Sequence, residues 1–346
     1  MHADIQRYSR QILFQGIGEA GQRRIMAGRV LVCGCGALGS ALADGLARAG
    51  VGFLRIVDRD FVELSNLQRQ VLFDEDDVAN QLPKAVAAAQ KLTRINRTIQ
   101  VQPIVADIDH ANILGLVQDV DLIVDGMDNF ETRFLINDAA LHTQTPWVYG
   151  GCVGSVGQTL TVLPGESACL RCLIDSAPDA GALETCETAG VLGPIVHWVA
   201  ALQVVAALKL LAGRRDLIEP VLTVVDVWDG SLRKLNVAGL RERANCPACV
   251  GGERGWLSGE KGSRTTVLCG RNAVQVTPPE KTTLDLPELA GRLAGAGDVA
   301  VNRFLVRLTL STGGCCLTVF ADGRAIIQGT DDPGTARGLY ARYVGS

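Results

Sequence analysis

A glycine-rich turn, Gly34-Cys-Gly-Ala-Leu-Gly39, stands between an apolar run, Val30–Cys33, and a helical segment near Leu38–Ala49. No other feature constrains the fold as much. Glycines at these spacings let a strand turn directly into a helix and bring bare backbone close to a phosphate. The phosphate charge then meets the N–H groups of the helix start. Such a turn belongs to a parallel sheet, and the neighbouring sequence supplies one. Further short apolar runs at Leu54–Val57, Ile99–Val105, Leu122–Val124 and Trp147–Tyr149 read as buried strands, with helices near Pro83–Asn96 and Phe130–His142 between them. Alternation of this length predicts an α/β, Rossmann-like, mostly parallel sheet with helices on both faces.

After Gly150 the pattern changes. Gln158–Leu163 and the pair Leu222–Trp228 and Ser231–Asn236, joined at Asp229-Gly230, read as an antiparallel extension, with a helix near Ile195–Ala212. The apolar run Val191–Leu211 contains Pro194, His197, Gln203 and Lys209, and reads as a buried helix with His197 in the core. The polar, glycine-rich residues 251–263 read as a linker between residues 1–250 and a small α+β domain, 264–346. In that domain Thr266–Val276, Phe304–Leu310, Cys315–Phe320 and Ala325–Gln328 read as strands, Pro287–Ala294 and Pro333–Tyr343 as helices. It carries no metal spacing, nucleophile or phosphate loop, so we expect a partner-docking module.

Composition narrows the function classes. A formal charge of −4 with no basic stripe argues against a nucleic-acid partner. No uncharged apolar run approaches the ~18 residues of a membrane span, and Met1-His2-Ala3-Asp4 does not read as a secretory signal, so the expectation is a cytoplasmic chain. Eleven cysteines then read as metal ligands, reactive thiols or core filler rather than disulfides.

Asp58, at the end of the second apolar run, is placed to bind ribose hydroxyls. Loop and acid alone would equally suit a nicotinamide or flavin oxidoreductase. The cations favour ATP: Arg10, Arg69 and Lys84 would supply the positive charge that a triphosphate under attack needs beyond a helix N-terminus. Asp128, in Asp125-Gly-Met-Asp-Asn129 after a predicted strand, would hold Mg²⁺. Two pairs, Cys169-x-x-Cys172 and Cys246-x-x-Cys249, supply four thiolates for a tetrahedral, structural Zn²⁺. Each charge has a bland alternative as a surface residue or cap, and the thiols could simply be reduced.

Taken in order, Arg7-Tyr-Ser-Arg-Gln11, the glycine loop, Asp58-Arg-Asp60, Ser65-Asn-Leu-Gln-Arg-Gln70, Lys84, Asp128-Asn129, Cys186-Glu-Thr-Ala-Gly-Val and both cysteine pairs resemble the ThiF/MoeB/HesA family, bacterial relatives of ubiquitin-activating enzymes, over about residues 5–250. The resemblance implies adenylation, with Mg-ATP, of the C-terminal glycine of a ubiquitin-like sulfur carrier ending in Gly-Gly, ThiS-like or MoaD-like, for thiocarboxylate formation in thiamine or molybdopterin biosynthesis. It implies nucleotide contacts at Gly34, Gly36, Ala37, Gly39, Asp58, Asp60, Ser65, Asn66, Leu67, Gln68, Arg69, Lys84, Asp128 and Asn129. It also implies a homodimer in which Arg10 reaches the partner's site, and a cysteine, Cys186, able to bond the carrier covalently. Ala37 departs from the glycine of many members, narrowing the loop by a methyl group. Three other readings stay open at this point: the oxidoreductase, a non-catalytic scaffold, and a relative acting on a small molecule or tRNA base.

Overall fold

The computed structural model describes residues 3–176, 189–261, 266–268, 272–278, 283–311 and 314–345. The chain divides into two compact units, Met1–Lys261 and Gly262–Ser346.

The first unit is built on eight strands: β1 (Arg29–Cys33), β2 (Phe53–Asp58), β3 (Gln100–Val105), β4 (Leu122–Asp125), β5 (Trp147–Val153), β6 (Val156–Val162), β7 (Val221–Asp226) and β8 (Ser231–Asn236). Their order across the sheet is β3-β2-β1-β4-β5-β6-β7-β8. The first five run parallel and the last three are antiparallel. Side-chain alternation explains why both faces are covered. Val30 and Val32 of β1 enter one core with Leu42, Leu46 and Leu92 of the helices Ala37–Ala49 and Lys84–Ile95. Leu31 and Cys33 enter the other with Phe134 and Ile136 of the helix Phe130–Thr143. The strand order reverses direction at β1/β4, so a crevice opens beyond the carboxyl ends of β1, β2 and β4.

Four expectations are corrected here. The strand at 99–105 is an edge strand with Gln100, Gln102 and Pro103 exposed, not a buried one. Proline is tolerated there because an edge strand has one side with no ladder to join. The helix Gly193–Leu211 is only partly buried, and His197 is exposed rather than in the core. By length and composition this helix would suffice to cross a membrane. In this fold it lies on the sheet against β5, β6 and the helix Ala37–Ala49. Its buried Gln203 donates to the carbonyls of Asp125 and Val148 at 3.0 and 3.2 Å, while His197, Trp198, Ala201 and Val205 form an outward stripe. The supposed linker is packed structure as far as Lys261: Trp256 stacks on Phe134 with centroids 5.4 Å apart, and Glu253 pairs with Arg171 and Lys261.

The second unit is an all-antiparallel sheet of β9 (Thr266–Leu268), β10 (Ala273–Val276), β11 (Gly297–Val301), β12 (Leu305–Leu310), β13 (Cys316–Phe320) and β14 (Ala325–Gln328) in the order β11-β12-β13-β14-β10-β9. The run read as one strand, Thr266–Val276, is two paired strands, and β11 was not foreseen. Val274, Val306, Leu317 and Ile327 share its core with Leu289 and Leu293 of the helix Leu286–Leu293 and Ala336 of the helix Pro333–Tyr343.

Candidate nucleotide site and four-cysteine cluster

The glycine turn is a knot of bare backbone. Gly34 has φ +80°, the left-handed region that glycine tolerates. A Cβ on Gly39 would lie 1.9 Å from the Gly34 carbonyl oxygen, and one on Gly126 would lie 2.7 Å from the Cα of Gly39. The β1 and β4 turns therefore touch without side chains between them. Gly36 differs, since a Cβ there would meet only Gln70 Nε2, at 4.0 Å. Gly36 caps the helix Ala37–Ala49, and no side chain caps that end, which leaves first-turn N–H groups for an anion. These two glycines should separate folding from binding. Gly39→Ala is expected to cost about 3 kcal/mol through overpacking, seen as a lower melting temperature. Gly36→Ala is expected to melt like the wild type but to lose most of the stabilisation that added ATP confers. A paired thermal melt with and without ATP checks both.

Asp58 organises the next layer. Its carboxylate accepts the Cys35 N–H at 2.6 Å and the Asp60 N–H at 2.7 Å, tying the glycine loop to the end of β2. Burial pushes its carboxyl up, Lys84 opposes that, and the neighbouring Asp60 adds to it. Lys84 begins the helix Lys84–Ile95 and is 3% exposed. A buried cation at a helix N-terminus faces an unfavourable dipole. Asp60 compensates, 3.2 Å from Nζ, and Asp60 also accepts the Lys84 backbone N–H through its carbonyl at 2.9 Å. Arg59 lies alongside, with Nη1 3.2 Å from Asp107 Oδ2.

The loop after β4 is held from behind. Buried Asp125 accepts Met127 N–H at 2.8 Å and Arg133 Nε at 3.2 Å, and Arg133 also donates to the carbonyls of Met127 and Gly150. Burial works against the charge on Arg133, and Asp125, Tyr149 and Asp128 restore it, so the guanidinium stays firmly protonated. Asp128 is thereby presented with its carboxylate exposed at the crevice. Asn129 accepts Thr132 N–H at 2.9 Å and is the N-cap of the helix Phe130–Thr143.

Residues 64–70 form a 3₁₀ turn and its exit. Buried Asn66 accepts the Glu63 N–H, Arg69 donates to the Ser65 carbonyl at 2.9 Å, Leu67 packs on the core, and Ser65 and Gln68 are exposed. Gln70 is buried beside Gly36 with no side-chain hydrogen bond among the described residues. Sequence reasoning passed over Gln70, Arg59, Asp107, Gly126 and the Asp125–Arg133 pair. The one available signal was Arg133, a lone arginine in the helical segment Phe130–His142.

One expected residue, Arg10, is not brought to this crevice. Cys186 lies outside the described residues. Arg10 is exposed, and its segment docks at the far end of the sheet. Gln11 donates to the Ala49 carbonyl, and Arg7 to that of Ile95. The helix Ala37–Ala49 separates that end from the glycine loop by about 20 Å.

Cys169, Cys172, Cys246 and Cys249 do converge, with all sulfurs within 4.8 Å of one another. The Cys169–Cys172, Cys169–Cys246 and Cys172–Cys249 separations are 3.9, 3.7 and 3.4 Å. Four thiolates around a tetrahedral zinc would stand about 3.8 Å apart, so the donor set could hold a zinc ion. Hydrogen bonds from Cys169 and Cys172 hold the Cys249 thiol well below the usual thiol range, while hydrogen bonds to Cys172 and Cys249 push Cys169 up. The cluster ties the segment after β6 to the segment after β8, and both lean on the helix Phe130–Thr143. Asn137 accepts Leu170 N–H at 3.0 Å, and Asp138 accepts Trp256 N–H at 3.1 Å.

Fold and site together define a doubly wound nucleotide-binding unit with a four-thiol clamp behind it. The chain belongs to the ThiF family, whose sequence profile matches residues 8–248. It is similar to the sulfur carrier protein ThiS adenylyltransferase of Bacillus subtilis (strain 168), 46% identical over 340 residues covering 98% of this chain and 99% of that one. It is 38% identical over 250 residues to the protein of the same name from Escherichia coli (strain K12), covering 72% of this chain and 96% of that one. Among solved structures it is similar to E. coli MccB with ATP, with a TM-score of 0.57, 25% identity and coverage of 67% of this chain and 71% of that one. The Bacillus likeness thus runs on through the second unit, which the family profile does not reach.

Proposed function

We propose that this chain adenylates the C-terminal glycine of a ubiquitin-like sulfur carrier, ThiS-like in the first instance and MoaD-like in the second, as a cytoplasmic homodimer. The carrier carboxylate attacks the α-phosphorus of ATP, the bond to the β-phosphate oxygen breaks, and pyrophosphate leaves. No proton moves, because the nucleophile is already ionised at neutral pH. Asp58 binds the ribose, and first-turn N–H groups with Gln70 and Asn66 meet the phosphates. Lys84 and Arg69 offset the repulsion between two anions and the charge that develops on the leaving group. Mg²⁺, when bound, adds to that neutralisation, and exposed Asp128 is the residue that would hold it. One carboxylate plus substrate phosphates is an ordinary Mg²⁺ donor set. Zn²⁺ held by the four cysteines is structural, since a closed thiolate set leaves no open position.

The observation that carries the reading is Lys84, a buried cation kept in place by Asp60 and coupled through Asp58 to the glycine loop. A pyrophosphate bridge is served by a helix N-terminus alone. The dimer is supported by the remoteness of Arg10 from its own crevice and by the stripe His197, Trp198, Ala201 and Val205 on the helix Gly193–Leu211. Carrier docking by the second unit belongs to the same reading.

The test is exchange of radiolabelled pyrophosphate into ATP with ThiS-like and MoaD-like carriers, each with and without the terminal glycine. Exchange with the ThiS-like carrier, abolished by trimming, is the expected result. Tight ATP binding with no exchange for either carrier would overturn the proposal.

A further inference from the structure

We infer that Gln203, in the helix Gly193–Leu211, is a positioning residue for Asp128. The inference rests on the adenylation reading above. Gln203 is 0% exposed and is the one polar side chain among the buried residues of its helix, where Ile195, Val196, Val199, Ala200 and Ala207 are the others. A buried amide costs stability unless it is hydrogen-bonded, so an apolar residue would serve packing alone better. The backbone beneath it accounts for the amide. β4 stays paired with β1 as far as Asp125, but its ladder with β5 holds only Ile123 with Trp147 and Val124 with Val148. The two strands therefore part at Asp125, three residues before Asp128. Gln203 Nε2 spans the parting, donating to the carbonyls of Asp125 at 3.0 Å and Val148 at 3.2 Å. Its Oε1 has no partner among the described residues, so the two donor contacts alone hold the amide. Gly150 makes room for it, since a Cβ there would lie 2.4 Å from that oxygen. Arg133 bridges the same parting from the opposite face of the sheet, through the Asp125 carboxylate and the Gly150 carbonyl. The point where the chain leaves the sheet towards Asp128 is thus fastened on both faces, and loss of Gln203 leaves one. Little displacement is tolerated there, because a shift of about 1 Å in a reacting arrangement can cost about a hundredfold in rate.

The test uses the full-length protein as wild type, Gln203→Leu, Gln203→Asn and Asp128→Ala, and with each Gln203 substitution combined with Asp128→Ala. Carrier-dependent pyrophosphate exchange should fall roughly tenfold to a hundredfold in Gln203→Leu. ATP affinity measured by calorimetry without Mg²⁺ should match the wild type, while the gain in affinity that Mg²⁺ confers should shrink. Added to Asp128→Ala, Gln203→Leu should cause no further loss of exchange, because a residue that acts through Asp128 has nothing left to position. Gln203→Asn keeps the amide on a stem one methylene shorter and should show the same pattern with a smaller loss. It carries the comparison if Gln203→Leu does not fold. Undiminished exchange in the folded Gln203 variants, an equal loss with and without the Asp128 carboxylate, or weakened ATP binding in the absence of Mg²⁺ would each overturn the inference. Each of these outcomes, with a wild type active in exchange, leaves the adenylation reading standing. A wild type that exchanges with neither carrier would overturn that reading and this inference together.

Discussion

Asp128→Ala should lower carrier-dependent pyrophosphate exchange by about 10²–10³-fold, the scale of losing one electrostatic partner of a transition state. The fold should survive. The loop carrying Asp128 is fastened by Asp125, Arg133 and the Asn129 cap rather than by the exposed carboxylate of Asp128 itself. Exposed substitutions of this kind usually stay within about 0.5 kcal/mol, so the melting temperature should move by no more than about 2 °C. Asp128→Asn keeps size and some hydrogen bonding but not charge, and should fall close to the alanine variant. Near-normal exchange in either variant would remove Asp128 from the chemistry.

Removing the metal should have the other large effect. Purified protein is expected to carry one zinc per chain, and a strong chelator or Cys249→Ser should unfold much of the first unit. Structural zinc contributes on the order of 10 kcal/mol in small domains, comparable with the whole stability of a typical domain. The consequence reaches the nucleotide site through a single element. The helix Phe130–Thr143 is fastened at its rear half to the cysteine segments by Asn137, Asp138 and the Phe134–Trp256 stack, and its front end carries Asn129 and the loop of Asp128. Exchange should therefore fall in step with zinc content. A zinc-free protein with unaltered melting and exchange would mean that the four sulfurs are ordinary thiols.

The nucleotide side of the fold was legible because its signals are local. The Gly34–Gly39 spacing, Asp58, and the apolar runs of β1, β2, β4 and β5 lie within a few residues of their observed bounds, and Ser231–Asn236 and Pro333–Tyr343 match outright. Signals that depend on distant partners were not legible. The 99–105 run is apolar enough to pass for a central strand, and only the sheet order makes it an edge. His197 was placed inside because its helix is apolar all round, which hid the face left without a cover. Glycines and charges at 251–261 look like a linker until Trp256 and Glu253 find partners across the chain. Asp125 and Arg133 read as two unrelated charges, since nothing local says that both are buried against each other.

The two rims of the eight-stranded sheet are unlike, and the difference bears on how the molecule avoids growing into fibres. At β3 an incoming strand would meet Pro103, which has no N–H to offer, so that rim is poorly suited to templating. At β8 the rim is continuous and almost wholly exposed, with Leu232 and Leu235 flanking Arg233 and Lys234. The adjacent positive charges discourage a second copy of the same rim from pairing with it. Any lengthening of this sheet is thereby confined to one side, and to a strand whose own charge is not positive.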